Sequence, residues 1–156
     1  MAVKKWLAAV IACFCMLSAA ACGSGQTAEE PSAASLEASM TKNNWELTGN
    51  LDTENNTWHL EFENTGSEEM KLDFSDGQEI EVIITEEGVS EPVYSYSEGK
   101  VFTQAEKSVE ISAGNIRRWD GELDADLLDS ENSYRAEFRI LAENLDAPTL
   151  KTSENP

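Results

Sequence analysis

An all-β fold, a single antiparallel β-sandwich of about seven or eight strands, is what the sequence predicts, and three observations carry that expectation. Apolar and polar residues alternate at period two along most of the segment from Asn44 to Leu145. Turn signals built on Gly, Asn and Asp separate the alternating runs. No part of that segment keeps a helical apolar period of useful length.

The elements follow in chain order. Trp45, Leu47, Gly49 and Leu51 form the first run, and Trp58, Leu60 and Phe62 the second, which closes at Asn64-Thr65-Gly66. Met70, Leu72 and Phe74 end at Asp76-Gly77, and Ile80, Val82 and Ile84 end at Glu87-Gly88. A shorter set, Val109 and Ile111, lies between Glu98-Gly99 and Ala113-Gly114. Tyr134, Ala136, Phe138 and Ile140 make the last. Alternate residues of a strand line one face, so each run offers an apolar face and a face of Glu, Asp, Lys and Thr. Two apolar faces stacked together make the core. The acids outside discourage pairing between exposed edges.

Residues 1–21 read as a signal peptide: Lys4 and Lys5 lead, Trp6 to Leu17 are apolar, and small residues precede Cys22. The apolar run is shorter than the ~20 residues that a spanning helix needs. A Cys after small residues resembles a lipobox, which makes Cys22 the expected lipid attachment site. The chain is then expected to be exported and held at the extracytoplasmic face of the cell membrane through that lipid. Ala19 stands where a lipobox usually has Leu, and plain cleavage after Ala19-Ala20-Ala21 is the alternative. The other thiols, Cys13 and Cys15, fall inside the signal, so no disulfide is available to the domain and packing must hold it. Residues 22–43 combine the lipidated Cys with a small, polar, flexible linker, with at most a weak helix at Ala34–Met40. The domain then spans 44–145, long enough for one core, and 146–156 read as a disordered tail.

Thirty Asp and Glu against 11 Lys and Arg give a formal charge of −19. Such a surface speaks against nucleic acid, whose phosphates need basic side chains. It is also repelled by anionic lipid, so the lipid rather than the protein surface would hold the molecule at a membrane. Its bland consequence is solubility, and its functional one is attraction to a basic partner. Catalysis finds little support: the only histidine, His59, sits between Trp58 and Leu60, where alternation turns it outward. The carboxylates of Asp124, Asp126, Asp129 and Glu131 begin like a calcium loop, but Leu128 and Asp129 occupy the places of a ligand and of the turning Gly. No metal and no cofactor are expected.

One stretch carries a more specific signal. Phe74, Gly77 and Gln78 are followed by Val93, Tyr94 and Ser97, and then by Gly99, Lys100, Phe102, Thr103 and Gln104. This order and spacing resemble the middle of the BsuPI family, the intracellular proteinase inhibitors of bacilli. Trp119-Asp120 is similar to a pair that commonly follows, whereas Ala113 stands where the family often has Pro. The resemblance implies an immunoglobulin-like sandwich, no catalytic activity and a serine protease of the subtilisin type as protein partner. It also nominates a target-binding loop of Tyr94, Tyr96, Ser97, Gly99, Lys100, Phe102, Thr103 and Gln104. Subtilisin-type clefts favour large apolar side chains, so Phe102 or Tyr96 is the expected anchor. A structural role stays open, in which Tyr94, Tyr96 and Phe102 plug the sandwich and Gly99 permits a tight turn. An envelope protein–protein interaction module without inhibitory activity is the alternative function.

Overall fold

Alternating burial along the strands decides the architecture. The computed structural model describes residues 35–146 and 149–152. The expectations about the signal, Cys22 and the linker up to residue 34 lie outside the described residues, as do those about 147–148 and 153–156. Ten strands are present among the described residues: β1 (Ser35–Lys42), β2 (Trp45–Asp52), β3 (Thr57–Asn64), β4 (Met70–Phe74), β5 (Ile80–Glu86), β6 (Tyr94–Ser95), β7 (Lys107–Ile111), β8 (Ile116–Glu122), β9 (Tyr134–Ile140) and β10 (Leu150–Lys151). They form a sheet β1-β2-β3-β8, a sheet β10-β9-β5-β6 and a two-stranded ribbon β4-β7. Every pairing is antiparallel. The fold is the expected all-β sandwich.

The first sheet turns Leu47, Leu51, Trp58, Leu60 and Phe62 inward, and the second turns Ile80, Val82, Ile84, Ala136, Phe138 and Ile140 against them. Each such side chain contributes about 1.5–3 kcal/mol on burial. The layers approach closely where a Cβ on Gly49 would stand 2.4 Å from the Phe138 ring, so the Phe138 side chain fills the space that Gly49 leaves. One buried polar residue is fully used. Asn64 donates through Nδ2 to the carbonyls of Glu68 (2.7 Å) and Ile111 (2.8 Å), and its Oδ1 accepts from Gly66 N–H (3.0 Å). It ties the β3–β4 connection to the end of β7.

The structure corrects three sequence expectations. Residues 35–42 are not linker or weak helix: they form β1, paired along its length from Ser35↔Asp52 to Lys42↔Trp45. The segment SLEASMTK carries few β-branched or aromatic residues and favours no strand, but Leu36 is buried and Ala38 and Met40 pack on the core at period two. Cross-strand pairing overrides local preference there. Nor is the stretch 146–156 wholly a tail, since Leu150 and Thr152 are buried and β10 pairs with β9. Thr152 Oγ1 accepts the Ala136 N–H at 3.0 Å, a side chain extending the ladder by one more bond. The strand count is also higher than the expected seven or eight, partly because β8 was not anticipated. Its inward positions are Arg117, Trp119 and Gly121, so no apolar alternation marks it. Gly121 leaves room for the Trp58 indole, which would lie 2.3 Å from any Cβ there.

Candidate functional site

The candidate loop begins as a strand and ends as an arch outside any strand. Tyr94 and Ser95 pair with Ile84 and Ile83. The ladder continues past the strand: Val93 N–H donates to Ile84 O and Tyr96 N–H to Val82 O, both at 2.8 Å, and Ser97 N–H donates to Glu81 Oε1 at 3.1 Å. Two turn bonds of 3.1 Å, from Glu98 N–H to Ser95 O and from Lys100 N–H to Ser97 O, then reverse the chain. Gly99 sits in that turn at φ 71° with nothing within 4 Å of a Cβ position, so its requirement is backbone conformation rather than space.

Beyond the turn, residues 100–104 belong to no strand. They are moored at Thr103, whose carbonyl accepts the Gly77 N–H at 2.8 Å. A Cβ on Gly77 would come within 2.5 Å of Thr103 Oγ1, so the mooring needs glycine for close approach. Gln78 completes the support. Its Nε2 donates to Glu81 Oε2 (2.9 Å), the carboxylate whose other oxygen holds Ser97 N–H. Gly77, Gln78, Ser97 and Thr103, separated along the chain, therefore meet in one supporting network.

The aromatic side chains lean on the domain. Tyr96 meets Trp58 edge-on, with ring centroids 5.6 Å apart at 88°, and lies 6.3 Å from Phe102. Edge-to-face aromatic pairs add about 0.5–1.5 kcal/mol beyond their area. The Lys100 ammonium sits 3.2 Å above the Tyr96 ring centroid, a cation–π contact. Burial holds that ammonium below the usual lysine range, with the Glu81 charge opposing. Burial likewise pushes the Tyr94 phenol above its usual range. Tyr94, Tyr96, Ser97 and Phe102 are half-buried, whereas Gly99, Lys100, Thr103 and Gln104 are exposed. Neither Phe102 nor Tyr96, the expected anchors, stands free of the domain. The residue that does is Val101, which is 97% exposed. Sequence reasoning passed over it because it occupies the variable place of Gly-Lys-x-Phe.

The exit of the loop is fastened by a second group that the sequence did not single out. Glu79, only 7% exposed, accepts Trp119 Nε1–H at 2.8 Å and Arg117 Nη2–H at 2.9 Å, and pairs with the Lys107 ammonium. Burial alone would raise the Glu79 carboxyl, but the hydrogen bonds from Lys107, Trp119 and Arg117 outweigh it and hold the group below the usual carboxylate range. Glu79 leads into β5, Lys107 opens β7, and Arg117 and Trp119 lie on β8, so one carboxylate joins both sheets and the ribbon. The signal that could have revealed it, an acid flanked by a strand start, is shared with many of the chain's acids.

The remaining candidates are placed elsewhere. His59 is half-exposed on the outer side of β3, between its cross-strand partners Asn50 and Asp120. In the acidic turn, Tyr134 Oη accepts the Asp129 N–H (2.7 Å) and Asp129 Oδ1 accepts the Glu131 N–H (2.9 Å). Among the described residues no group of three or more His, Cys, Asp or Glu is arranged to hold a metal ion. No helix among them is long and apolar enough to cross a membrane.

Comparison with protein families matches residues 35–146 to the family described as BsuPI, intracellular proteinase inhibitor. Its start coincides with the first residue of β1, which the sequence had assigned to the linker. Comparison with curated proteins gives no match.

Proposed function

Because the chain belongs to the BsuPI family of proteinase inhibitors, we propose that it binds and inhibits a serine protease of the subtilisin type through the arch that follows β6. The observation that carries this reading is the arch itself: a segment outside any strand that presents the exposed side chain of Val101 and is moored on both sides by packing and hydrogen bonds. An inhibitor segment must be rigid, or association costs the entropy of ordering it. The Ser97, Gly77 and Tyr96 contacts supply that order without a disulfide. The chain breaks no bond itself, in keeping with its family and with a lone His59 on an outer sheet face. Signal-like residues 1–21 and Cys22 support an exported protein, lipid-anchored at the extracytoplasmic face of the cell membrane.

Titrating the full chain into subtilisin with a chromogenic peptide substrate tests the reading. A saturable loss of hydrolysis is expected. Full hydrolysis at high micromolar chain, with its melting transition intact, would remove the subtilisin-type target, and full hydrolysis by elastase and trypsin as well would leave an envelope interaction module.

A further inference from the structure

We propose that Val101 is the specificity-determining residue of the arch, the side chain that enters the primary pocket of the target, and that this pocket is shaped for a small branched aliphatic group. The inference rests on the inhibitor reading above and deepens it. Three side chains at the crest could serve as the anchor, and the structure assigns two of them other work. The Lys100 ammonium is drawn back over the Tyr96 ring at 3.2 Å. Phe102 lies against the same ring from the other side of Val101, at 6.3 Å, and is half-buried. Withdrawing either would uncover Tyr96 and, beneath it, Trp58. Val101 alone is spent on nothing inside the domain, and it is 97% exposed. An apolar side chain so exposed gains on entering a pocket, because all of its surface leaves water at once.

The geometry around Val101 suits such entry. Residues 100–104 are in no ladder of their own; the Lys100 N–H and the Thr103 carbonyl are held by the turn and the mooring, which leaves the Val101 N–H and carbonyl between them to pair with the strands that line a protease cleft. The turn bond at Lys100 and the mooring at Thr103 fix the backbone on each side of Val101. A β-branched side chain is also stiff about χ1, which lowers the ordering cost on binding. Serine proteases separate their substrates by this pocket: elastase has a small one, subtilisin a larger apolar one, and trypsin carries an acid that takes Lys or Arg. Val101 fits a pocket of the first kind, which narrows the target to a protease whose primary pocket is smaller than that of subtilisin itself.

The test uses the full chain, its Val101→Gly and Val101→Arg variants, and inhibition constants against elastase, subtilisin and trypsin. The Val101 side chain is fully exposed, so Val101→Arg should leave the melting temperature unchanged and Val101→Gly should lower it only by the backbone entropy of glycine, with each variant still folded. The wild-type chain should inhibit elastase more tightly than subtilisin. Val101→Gly should weaken elastase inhibition at least ~10-fold, the scale on which losing methyl groups from an apolar pocket is felt. Val101→Arg should lose elastase and gain trypsin. If the wild-type chain inhibits elastase or subtilisin and neither variant alters the pattern, Val101 stays outside the pocket and this inference is overturned while the inhibitor reading stands. If no form of the chain inhibits any of the three enzymes, both are overturned together.

Discussion

Replacing Glu79 by Gln probes the clamp that joins the sheets to the exit of the arch. The substitution keeps the volume and one acceptor oxygen but removes the charge that Lys107 and Arg117 share. Loss of one partner of a buried ion pair costs ~3–5 kcal/mol when the orphaned charge stays buried. Here the side chains of Lys107 and Arg117 are 44% and 41% exposed, so both cations regain water when the carboxylate is lost. Trp119 Nε1–H can still donate to the amide oxygen. The expected loss is therefore nearer ~2–3 kcal/mol, which for a domain of this size lowers Tm by roughly 10–20 °C. The pH dependence follows from the direction of the Glu79 shift. Its carboxyl is held below its unfolded value of 4.5, so the unfolded chain takes up the proton first and stability falls with acid. The clamp's contribution is complete above that unfolded value and disappears as pH drops through the lower folded one. Urea unfolding of the two proteins at pH 7 and again below pH 4 measures this. The gap should be wide at pH 7 and close on acidification, because Gln does not titrate. A difference under ~0.5 kcal/mol at pH 7, or one that persists unchanged in acid, would refute the clamp as drawn.

Three further substitutions address the arch and the core. Gly99→Ala places a Cβ at φ 71°, which should cost about 1–2 kcal/mol in urea unfolding and weaken inhibition by loosening the turn; an unchanged midpoint would show that the turn does not need this conformation. Phe102→Ala removes a half-buried ring from Tyr96, so Tm should fall together with inhibition; lost inhibition at constant Tm would instead make Phe102 a direct contact. Gly49→Ala forces a methyl to within 2.4 Å of Phe138 and should destabilise by ~1–3 kcal/mol without touching the arch; inhibition lost in protein that remains folded would contradict that separation.

Where apolar residues alone define a strand, the sequence was legible. β2, β3, β5 and β9 show inward Trp, Leu, Ile, Val and Phe at period two, because both layers need those faces. β8 was hidden for a chemical reason: its inward side carries Arg117 and Trp119, acceptable there only because Glu79 receives both. β1 was hidden because Ala38 and Met40 are weak markers and pairing with β2, not local preference, makes it a strand. β6 and β10 are two residues each, too short for any period to register. In the site, the motif residues located the loop but not its division of labour. Tyr96, Lys100 and Phe102 attract notice by their chemistry, yet they are mutually engaged, and the residue left free is a lone Val101. Glu79 escaped because its partners lie 28 to 40 positions away, beyond the reach of any local pattern.

The clamp and the arch are mechanically one device. The segment between Tyr96 and Lys107 has fixed ends: Tyr96 N–H is bonded to β5 and packed on Trp58, and Lys107 is paired with Glu79 where β7 begins. Between them, the Ser97 N–H bond to Glu81, the turn and the mooring at Thr103 restrain the backbone. In a disulfide-stapled inhibitor the covalent bond would set those ends and their spacing, independently of pH. Here an ion pair with partly exposed cations sets one of them, so its strength follows the ionisation of Glu79. Freeing the end at Lys107 would lengthen the flexible span and return ordering entropy to the arch, raising the cost of binding even though no contact residue has changed. The grip on a target is thus tied to a carboxylate that the target never meets.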